Sequence, residues 1–276
     1  MSDQLAGEFA GYTLSWAEEF DGPAGTSPSP GTWAPETGGH GWGNAELQYY
    51  TGETANAALD GAGNLAIVVR RTDPERARGS YGGRDYTSAR LTTNGRKSFR
   101  YGLIQARMRI PAGRGMWPAF WMLGTDIDQA GWPGCGEIDV MENFGINPRV
   151  VHGAVHGPGY SGAGGITASL DTGSPLADAF HVYSVCWEPD RIRWYIDQVR
   201  YHTVTRASPG SHRWVFDHDF YLLVNVAVGG LPSAPPDSST AFPQTLLIDH
   251  IRVYAPPAEN GHVPGKENTK ETVTGS

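Results

Sequence analysis

GEIDVMENFG, residues 136–145, places Glu137, Asp139 and Glu142 close together in an otherwise apolar run. On an α-helix, at about 100° per residue, the three carboxylates would point in different directions. On a β-strand Glu137 and Asp139 share one face, but Glu142 falls on the opposite face because side chains alternate. A β-bulge at residues 140–141 would add one residue and return Glu142 to the first face. The segment is therefore predicted to be a bulged strand with three carboxylates along one groove.

Alternation of apolar and polar residues, interrupted by turn residues, recurs along most of the chain. The 37 glycines and 20 prolines also disfavour long helices. The sequence therefore predicts an all-β fold in which antiparallel strands form two sheets. Consecutive hairpins are expected around turns at residues 189–190 and 197–198. The ten predicted strands cover residues 64–71, 86–93, 101–110, 116–123, 137–142, 150–156, 181–188, 191–197, 221–228 and 245–254.

The length of 276 residues allows a substantial core, and all-β sandwiches of this size often form one domain. We assign residues 1–255 to a catalytic domain and the polar, aperiodic residues 256–276 to a linker or disordered tail. The N-terminal residues lack the apolar core of a signal peptide, as would a secreted protein whose leader had been removed.

The charge and hydropathy of the chain exclude two classes of partner. The formal net charge is -8 and no block of basic residues is present, so the electrostatic pattern of a nucleic-acid-binding protein is missing. No apolar stretch approaches the roughly 20 residues of a membrane-spanning helix. We therefore expect neither nucleic acid nor membrane as a partner, and a neutral ligand is easier to accommodate.

The spacing of the two glutamates indicates a reaction class. Inward-leaning side chains on a concave sheet would bring the carboxyl groups of Glu137 and Glu142 to about 5 to 6 Å, within the range of retaining glycosidases. Asp139 between them must raise at least one pKa, because three adjacent carboxyl groups cannot all ionise freely. A solvated strand face and a calcium site are the alternatives. The segment has no Lys or Arg to balance a solvated face, and it lacks the oxygen-rich loop spacing of a calcium site.

This E-x-D-x-x-E segment resembles glycoside hydrolase family 16, in particular its laminarinase-like endo-β-1,3-glucanases. The resemblance implies a jelly-roll sandwich with a concave substrate groove. It also implies a secreted monomer that hydrolyses β-glucan and needs no cofactor for catalysis. Glu137 would be the nucleophile, Glu142 the acid/base, and Asp139 the residue that tunes the nucleophile. The resemblance extends over residues 16–22, 44–51, 115–123, 222–230 and 248–254.

Several readings of the activity stay open at this point. Members of the lichenase type lack the extra residue before the last glutamate, so Met141 argues against that branch, which acts on mixed-linkage glucan. Agarases and carrageenases share the longer spacing. A lectin-like carbohydrate-binding sandwich would keep aromatic platforms for sugars, but it has no use for three acids in mutual repulsion.

Aromatic residues provide candidate sugar platforms, because the C–H faces of sugar rings stack on indole. Trp117 and Trp121 share one face of their predicted strand, and Trp42 lies in a glycine-rich loop that cannot bury it easily. The resemblance favours all three as platforms, with core packing as the alternative. Asn44 and Glu46 follow Trp42 in the same segment and could hydrogen-bond a glucose unit, with ordinary loop polarity as the alternative.

Other polar residues are expected near the carboxylates. If the strand 137–142 forms a hairpin with the strand 150–156, pairing Glu142 with His152 also pairs Glu137 with His156. Both histidines would then face the groove, and His156 is a substrate-binding candidate. Arg90 and Asn225 lie in apolar strands and must have partners, either a bound sugar or a structural hydrogen bond.

The resemblance also implies a structural Ca²⁺ held by Glu19, Gly63 and Asp249. Salt bridges to arginine are the alternative explanation for the two acids. Cys135 and Cys186 fit no metal motif, and they are expected to be buried free thiols or one disulfide.

Overall fold

The structure, a computed structural model, describes residues 7–257. Residues 1–6 and most of the predicted tail, residues 258–276, lie outside the described residues. Among the described residues, no helix is both long and apolar enough to span a bilayer. Helix α1 is Pro74–Ser80 and helix α2 is Ile127–Ala130, and single 3-10 turns form at Gly162–Gly164 and Leu176–Asp178.

The described chain is otherwise built from strands, in agreement with the all-β prediction. The strands are β1 (Thr13–Glu18), β2 (Ala34–Glu36), β3 (Gln48–Tyr50), β4 (Ala57–Leu59), β5 (Leu65–Arg71), β6 (Tyr86–Ser88), β7 (Arg90–Thr92), β8 (Ser98–Phe99), β9 (Gly102–Arg109), β10 (Met116–Gly124), β11 (Glu137–Glu142), β12 (Val150–His156), β13 (Ile166–Asp171), β14 (His181–Glu188), β15 (Arg191–Ile196), β16 (Val199–Thr205), β17 (Phe220–Val228) and β18 (Gln244–Ala255).

These strands form two sheets that pack against each other. The ten-stranded sheet has the order β16-β15-β14-β9-β18-β5-β6-β3, with β1 added at β18 and β4 at β5. The eight-stranded sheet has the order β13-β12-β11-β10-β17-β7-β2, with β8 added at β17. The pairs are antiparallel apart from β3 with β6, which is parallel. The predicted sandwich of two sheets is confirmed, and the hairpins that join β14, β15 and β16 have the expected turns.

The predicted number of strands was wrong. All ten predicted segments are strands, but residues 86–93 divide at Ala89 into β6 and β7, which belong to different sheets. Seven further strands are not among the ten predicted segments, although the hairpin expected around residues 197–198 already required β16. Four of them are only two or three residues long, too short to show a period of two, and the other three are largely solvent-exposed: β1, β13 and β16.

The main core lies between the two sheets and holds β11 in place. β17 is buried along its whole length, and the apolar side chains of β10 and β11 pack into the same core. Cys135 and Cys186 are buried, free and located in two separate smaller clusters. The free-thiol reading is therefore confirmed, and no disulfide joins the two cysteines.

Candidate active site

β11 has the predicted bulge, because its register with both neighbouring strands shifts between Asp139 and Glu142. Val140 is the extra residue, since Asp139 and Met141 pair with consecutive residues of β10 and Val140 pairs with none. Both Val140 and Met141 are fully buried in the core between the sheets. Two consecutive inward side chains return Glu142 to the side of Glu137 and Asp139. We call this side of the eight-stranded sheet the groove face.

The hairpin of β11 and β12 has the register expected from the sequence, with Glu137 opposite His156 and Glu142 opposite His152. His156 Nε2 lies 3.1 Å from Asp139 Oδ2. Ligand atoms of Glu137, Asp139 and His156 all lie within 4.8 Å of one another. His152 instead packs against Phe144, with ring centroids 5.0 Å apart. His156 therefore contacts the acid cluster directly, whereas His152 lies next to the loop that joins β11 to β12.

Each glutamate accepts a hydrogen bond from an indole. Trp117 Nε1 donates to Glu142 Oε1 at 2.8 Å, and Trp132 Nε1 donates to Glu137 Oε2. Trp117 is only 9% exposed, so its contact with the acid is better defined than a role as an open platform. Trp132 is 51% exposed and was missed by the sequence analysis. Its position in the Gly- and Pro-rich turn just before β11, which cannot bury an indole, was an available signal.

The acid cluster cannot carry three negative charges at neutral pH. Burial is the main cause that raises the pKa of each acid, and repulsion from a neighbouring carboxylate adds to it. The pKa of Glu137 rises to about 8 and that of Glu142 to about 7. The pKa of Asp139, which is 3% exposed, rises well above its usual range. The cluster therefore holds protons at pH values where isolated carboxyl groups have lost them.

Arg90 lies between two of the predicted platforms. Its guanidinium carbon is 4.6 Å from the ring centroid of Trp42 and 4.6 Å from that of Trp121, and its Nε donates to Glu36. Glu36 was not foreseen, because it lies 54 residues away in the chain. The partner that Arg90 requires is thus a carboxylate, and the two indoles hold the guanidinium in place by cation–π contact.

Asn225 and Glu46 belong to a buried hydrogen-bond network. Asn225 accepts from Trp121 Nε1 at 2.7 Å and donates to the Tyr50 hydroxyl at 3.0 Å. Glu46, only 4% exposed, accepts from Tyr50 at 3.2 Å and from Asn44 at 3.4 Å. Asn225 and Glu46 therefore both have partners in structural hydrogen bonds within the protein. Their roles toward a sugar stay predictions, as does that of the more accessible Asn44.

The residues predicted to hold calcium, Glu19, Gly63 and Asp249, are not part of the groove face. Both carboxylate oxygens of Glu19 accept from Arg252 at 2.8 Å, and Asp249 Oδ2 accepts from Arg107 at 2.7 Å. Gly63 lies in the turn between β4 and β5. The ion pairs match the alternative explanation given for the two acids. Since arginine already occupies the best acceptor oxygens, this donor set as it stands does not fit a calcium ion.

The groove face has the form of a binding site for an extended ligand. Candidate residues occupy five adjacent strands in the order β12, β11, β10, β17 and β7. At about 4.8 Å between strands, this row is roughly 19 Å wide, which is long enough for several sugar units laid across the strands. The candidates on these strands are staggered along the strand direction: Asn225 and Arg90 are level with Glu142, Trp121 is level with Asp139, and His156 is level with Glu137.

Comparison with known proteins gives consistent matches. The family described as Glycosyl hydrolases family 16 matches residues 42–241. The chain is 42% identical over 252 residues to a protein named Beta-glucanase from Rhodothermus marinus, covering 88% of this chain and 85% of that protein. It is 36% identical over 264 residues to Glucan endo-1,3-beta-glucosidase A1 from Niallia circulans, covering 89% of this chain but 38% of that longer protein.

A solved structure supports the same fold. The laminarinase catalytic domain from Thermotoga maritima MSB8 superimposes with a TM-score of 0.80 at 44% sequence identity. The match covers 88% of this chain and 98% of that domain. The sandwich is therefore shared across nearly the whole described chain.

Proposed function

Because the chain belongs to glycosyl hydrolases family 16, we propose that it hydrolyses β-1,3-glucosidic bonds within β-glucan chains and retains the anomeric configuration. The relatives named as a glucan endo-1,3-beta-glucosidase and as a laminarinase support this linkage. The observation that carries the proposal is the bulged strand. It brings two indole-bonded glutamates and a buried aspartate to one face, which is the equipment for two-step glycoside hydrolysis.

In the first step, a carboxylate oxygen of Glu137 forms a bond to the anomeric carbon while the bond to the leaving oxygen breaks. Glu142 transfers its proton to that oxygen, and its raised pKa of about 7 keeps it protonated for this role. In the second step Glu142 takes a proton from water, the water oxygen attacks the same carbon, and the bond to Glu137 breaks. Two inversions at one carbon give net retention.

Asp139 decides where the negative charge of the cluster resides. Catalysis uses the form of the cluster in which Glu137 is ionised, and a proton held by Asp139 favours that form because it removes a negative charge beside the nucleophile. His156 Nε2 lies 3.1 Å from Oδ2 of the same aspartate, so the histidine is the nearest cationic side chain to this acid when it is protonated. Asp139 therefore acts as the tuning residue, and its own proton is kept by burial.

For substrate binding, we assign Trp42, Asn44, Glu46, Arg90, Trp117, Trp121, His156 and Asn225 to the groove. The buried members of this set act mainly by holding the others, since Trp121, Asn225 and Glu46 are joined through Tyr50. The exposed Trp132 joins the set as a platform next to Glu137, because an exposed indole beside a carboxylate suits a sugar ring.

The test is hydrolysis of several polysaccharides by one preparation. We expect reducing ends to appear fastest from laminarin, with a rapid fall in viscosity that indicates cleavage within chains. Mixed-linkage glucan, agarose and carrageenan should react more slowly. Faster cleavage of one of these would reassign the substrate, and binding of laminarin without cleavage would establish the lectin-like alternative. Proton NMR within minutes of mixing should show the β anomer first, and an initial α anomer would contradict retention.

Four further assignments belong to this proposal. Residues 1–255 form the catalytic domain and residues 256–276 a linker or tail, and the protein is a secreted monomer. Secretion is supported by the size of the substrate, because a polysaccharide cannot enter a cell before it is cut. Size-exclusion chromatography and assay of the culture medium test these points.

A structural calcium ion at Glu19, Gly63 and Asp249 would require Arg252 and Arg107 to leave the two acids with which they pair. An unchanged melting temperature in EGTA would rule out a stabilising ion at this position. A lower melting temperature, restored by added Ca²⁺, would support it.

A further inference from the structure

The catalytic bulge is bonded to the opposite sheet. Trp194, on β15 of the ten-stranded sheet, is fully buried, and its Nε1 donates to the backbone oxygen of Asp139 at 2.7 Å. Asp139 directly precedes Val140, the extra residue of the bulge. A bulge interrupts the regular hydrogen-bond ladder at this place. An indole from the other layer therefore binds the backbone exactly where β11 departs from regular geometry.

The surroundings of Trp194 leave its indole little freedom. A Cβ atom on Gly153 of β12 would lie 2.5 Å from Trp194 Cδ1 and 2.7 Å from the Tyr201 hydroxyl oxygen, closer than real Cβ contacts allow. On the other side the ring packs against His202, with centroids 4.7 Å apart. The glycine thus opens the space through which the indole reaches the bulge, and the histidine holds the indole there.

We propose that Trp194 is a positioning residue for catalysis, whose N–H holds the Asp139 carbonyl and thereby keeps the bulge that turns Glu142 toward the groove. This inference rests on the proposed function, since it assigns a purpose to the position of Glu142. Trp194 itself lies between the sheets and does not touch the groove face. Loss of its N–H leaves a buried carbonyl without this partner and allows the backbone around Val140 to relax. Such a relaxation moves Glu142 relative to Glu137.

The test compares Trp194→Phe with Trp187→Phe. Trp187 is a matched control, because it is also fully buried in the ten-stranded sheet and its Nε1 donates to a backbone oxygen, that of Phe216 at 3.1 Å. Both substitutions keep an aromatic ring and remove one buried indole hydrogen bond. A merely structural role predicts similar losses in melting temperature and similar kcat values for the two variants.

Positioning predicts a different result. Trp194→Phe should lower kcat on laminarin by about ten- to hundredfold relative to Trp187→Phe, with KM changed by less than about threefold, because small misplacements of a catalytic group cost rate rather than binding. The loss should be smaller on an aryl β-glucoside oligosaccharide with a good leaving group, which needs little protonation by Glu142. The alkaline limb of the pH profile on laminarin should also shift in Trp194→Phe alone.

Equal kcat values for the two variants, or an equal loss on both substrates, would overturn the proposal. Should Trp194→Phe fail to fold, the benzothienyl analogue of tryptophan at position 194 gives the same comparison, because sulfur replaces the ring N–H at nearly the same shape. The two failures are distinguishable. An inactive wild-type protein contradicts the proposed function, whereas an active wild type with equally active variants contradicts only the role of Trp194.

Discussion

Replacing Glu137 by glutamine should stabilise the fold at alkaline pH while it abolishes catalysis. Burial raises the pKa of Glu137 from 4.5 to about 8, so the folded protein keeps a proton that the unfolded chain loses across this window. The unfolded state therefore gains stability relative to the folded state as pH rises from about 4.5 to 8. Glutamine cannot ionise, so Glu137→Gln escapes this loss and can still accept from Trp132.

The size of the effect follows from the difference between the two pKa values. At about 1.4 kcal/mol per pH unit, a difference of about 3.5 units gives an upper limit of about 5 kcal/mol at pH 8. Glu137 keeps partial exposure to the groove, and solvent screening reduces the gain. We expect Glu137→Gln to exceed the wild type by about 2 to 3 kcal/mol at pH 8 and by about zero at pH 4.

Urea denaturation followed by far-UV circular dichroism at pH 4, 6 and 8 measures these differences. Glu19→Gln is the control of opposite sign, because hydrogen bonds from Arg252 lower the pKa of Glu19. Its stabilising effect is present above the unfolded pKa and is lost as pH falls, so Glu19→Gln should be slightly less stable than the wild type at pH 8 and equal to it at low pH. A Glu137→Gln variant whose advantage does not grow between pH 4 and 8 would refute the argument from burial.

Three further predictions concern the site. Inserting one alanine after Met141 should turn Glu142 toward the core and abolish activity. Deleting Met141 should leave Glu142 on the groove face and retain more activity. Equal loss in both variants would contradict the argument that alternation of side chains along β11 decides which face Glu142 occupies. Glu142→Ala should be rescued by azide on an aryl glucoside with a β-glycosyl azide as product, and an α product would exchange the roles of Glu142 and Glu137. Gly165→Ala should lower kcat about tenfold, because its Cβ would lie 2.4 Å from His156 Cε1, while Gly164→Ala, with nothing within 4 Å, should match the wild type.

The parts of the fold that were predictable depend on neighbouring residues in the chain. The bulge in β11 and its register with β12 follow from alternation and from the spacing of Glu137, Asp139 and Glu142, all of which are local. β13 was missed although its sequence, ITASLD, alternates apolar and polar residues and its apolar face is partly buried against the core. The signal for β13 was therefore available, whereas β16 has a single buried residue, Val204, and gives no regular alternation.

The contacts that complete the site were harder to predict from the sequence, because most of them join segments that are far apart in the chain. Trp194 lies 55 residues from Asp139, and Glu36 lies 54 residues from Arg90. Which residues become their partners depends on the sheet to which each strand belongs and on the order of the strands. Packing of the whole core determines that order. Trp132 is different, since it lies five residues from Glu137 in a turn whose composition already indicates exposure.

The two indole donors differ in how they respond to a ligand. Trp117 belongs to a central strand and is nearly buried, so the environment of Glu142 is the same whether the groove is empty or filled. Trp132 lies in a loop and is half-exposed, so an arriving sugar can push its indole away from Glu137. The donor lowers the pKa of Glu137, so its loss would raise that pKa further and favour the protonated form, which is not a nucleophile. The hydrogen bond to Glu142 is thus preset by the fold, whereas Glu137 keeps its donor only if the indole of Trp132 stays in place when the sugar binds.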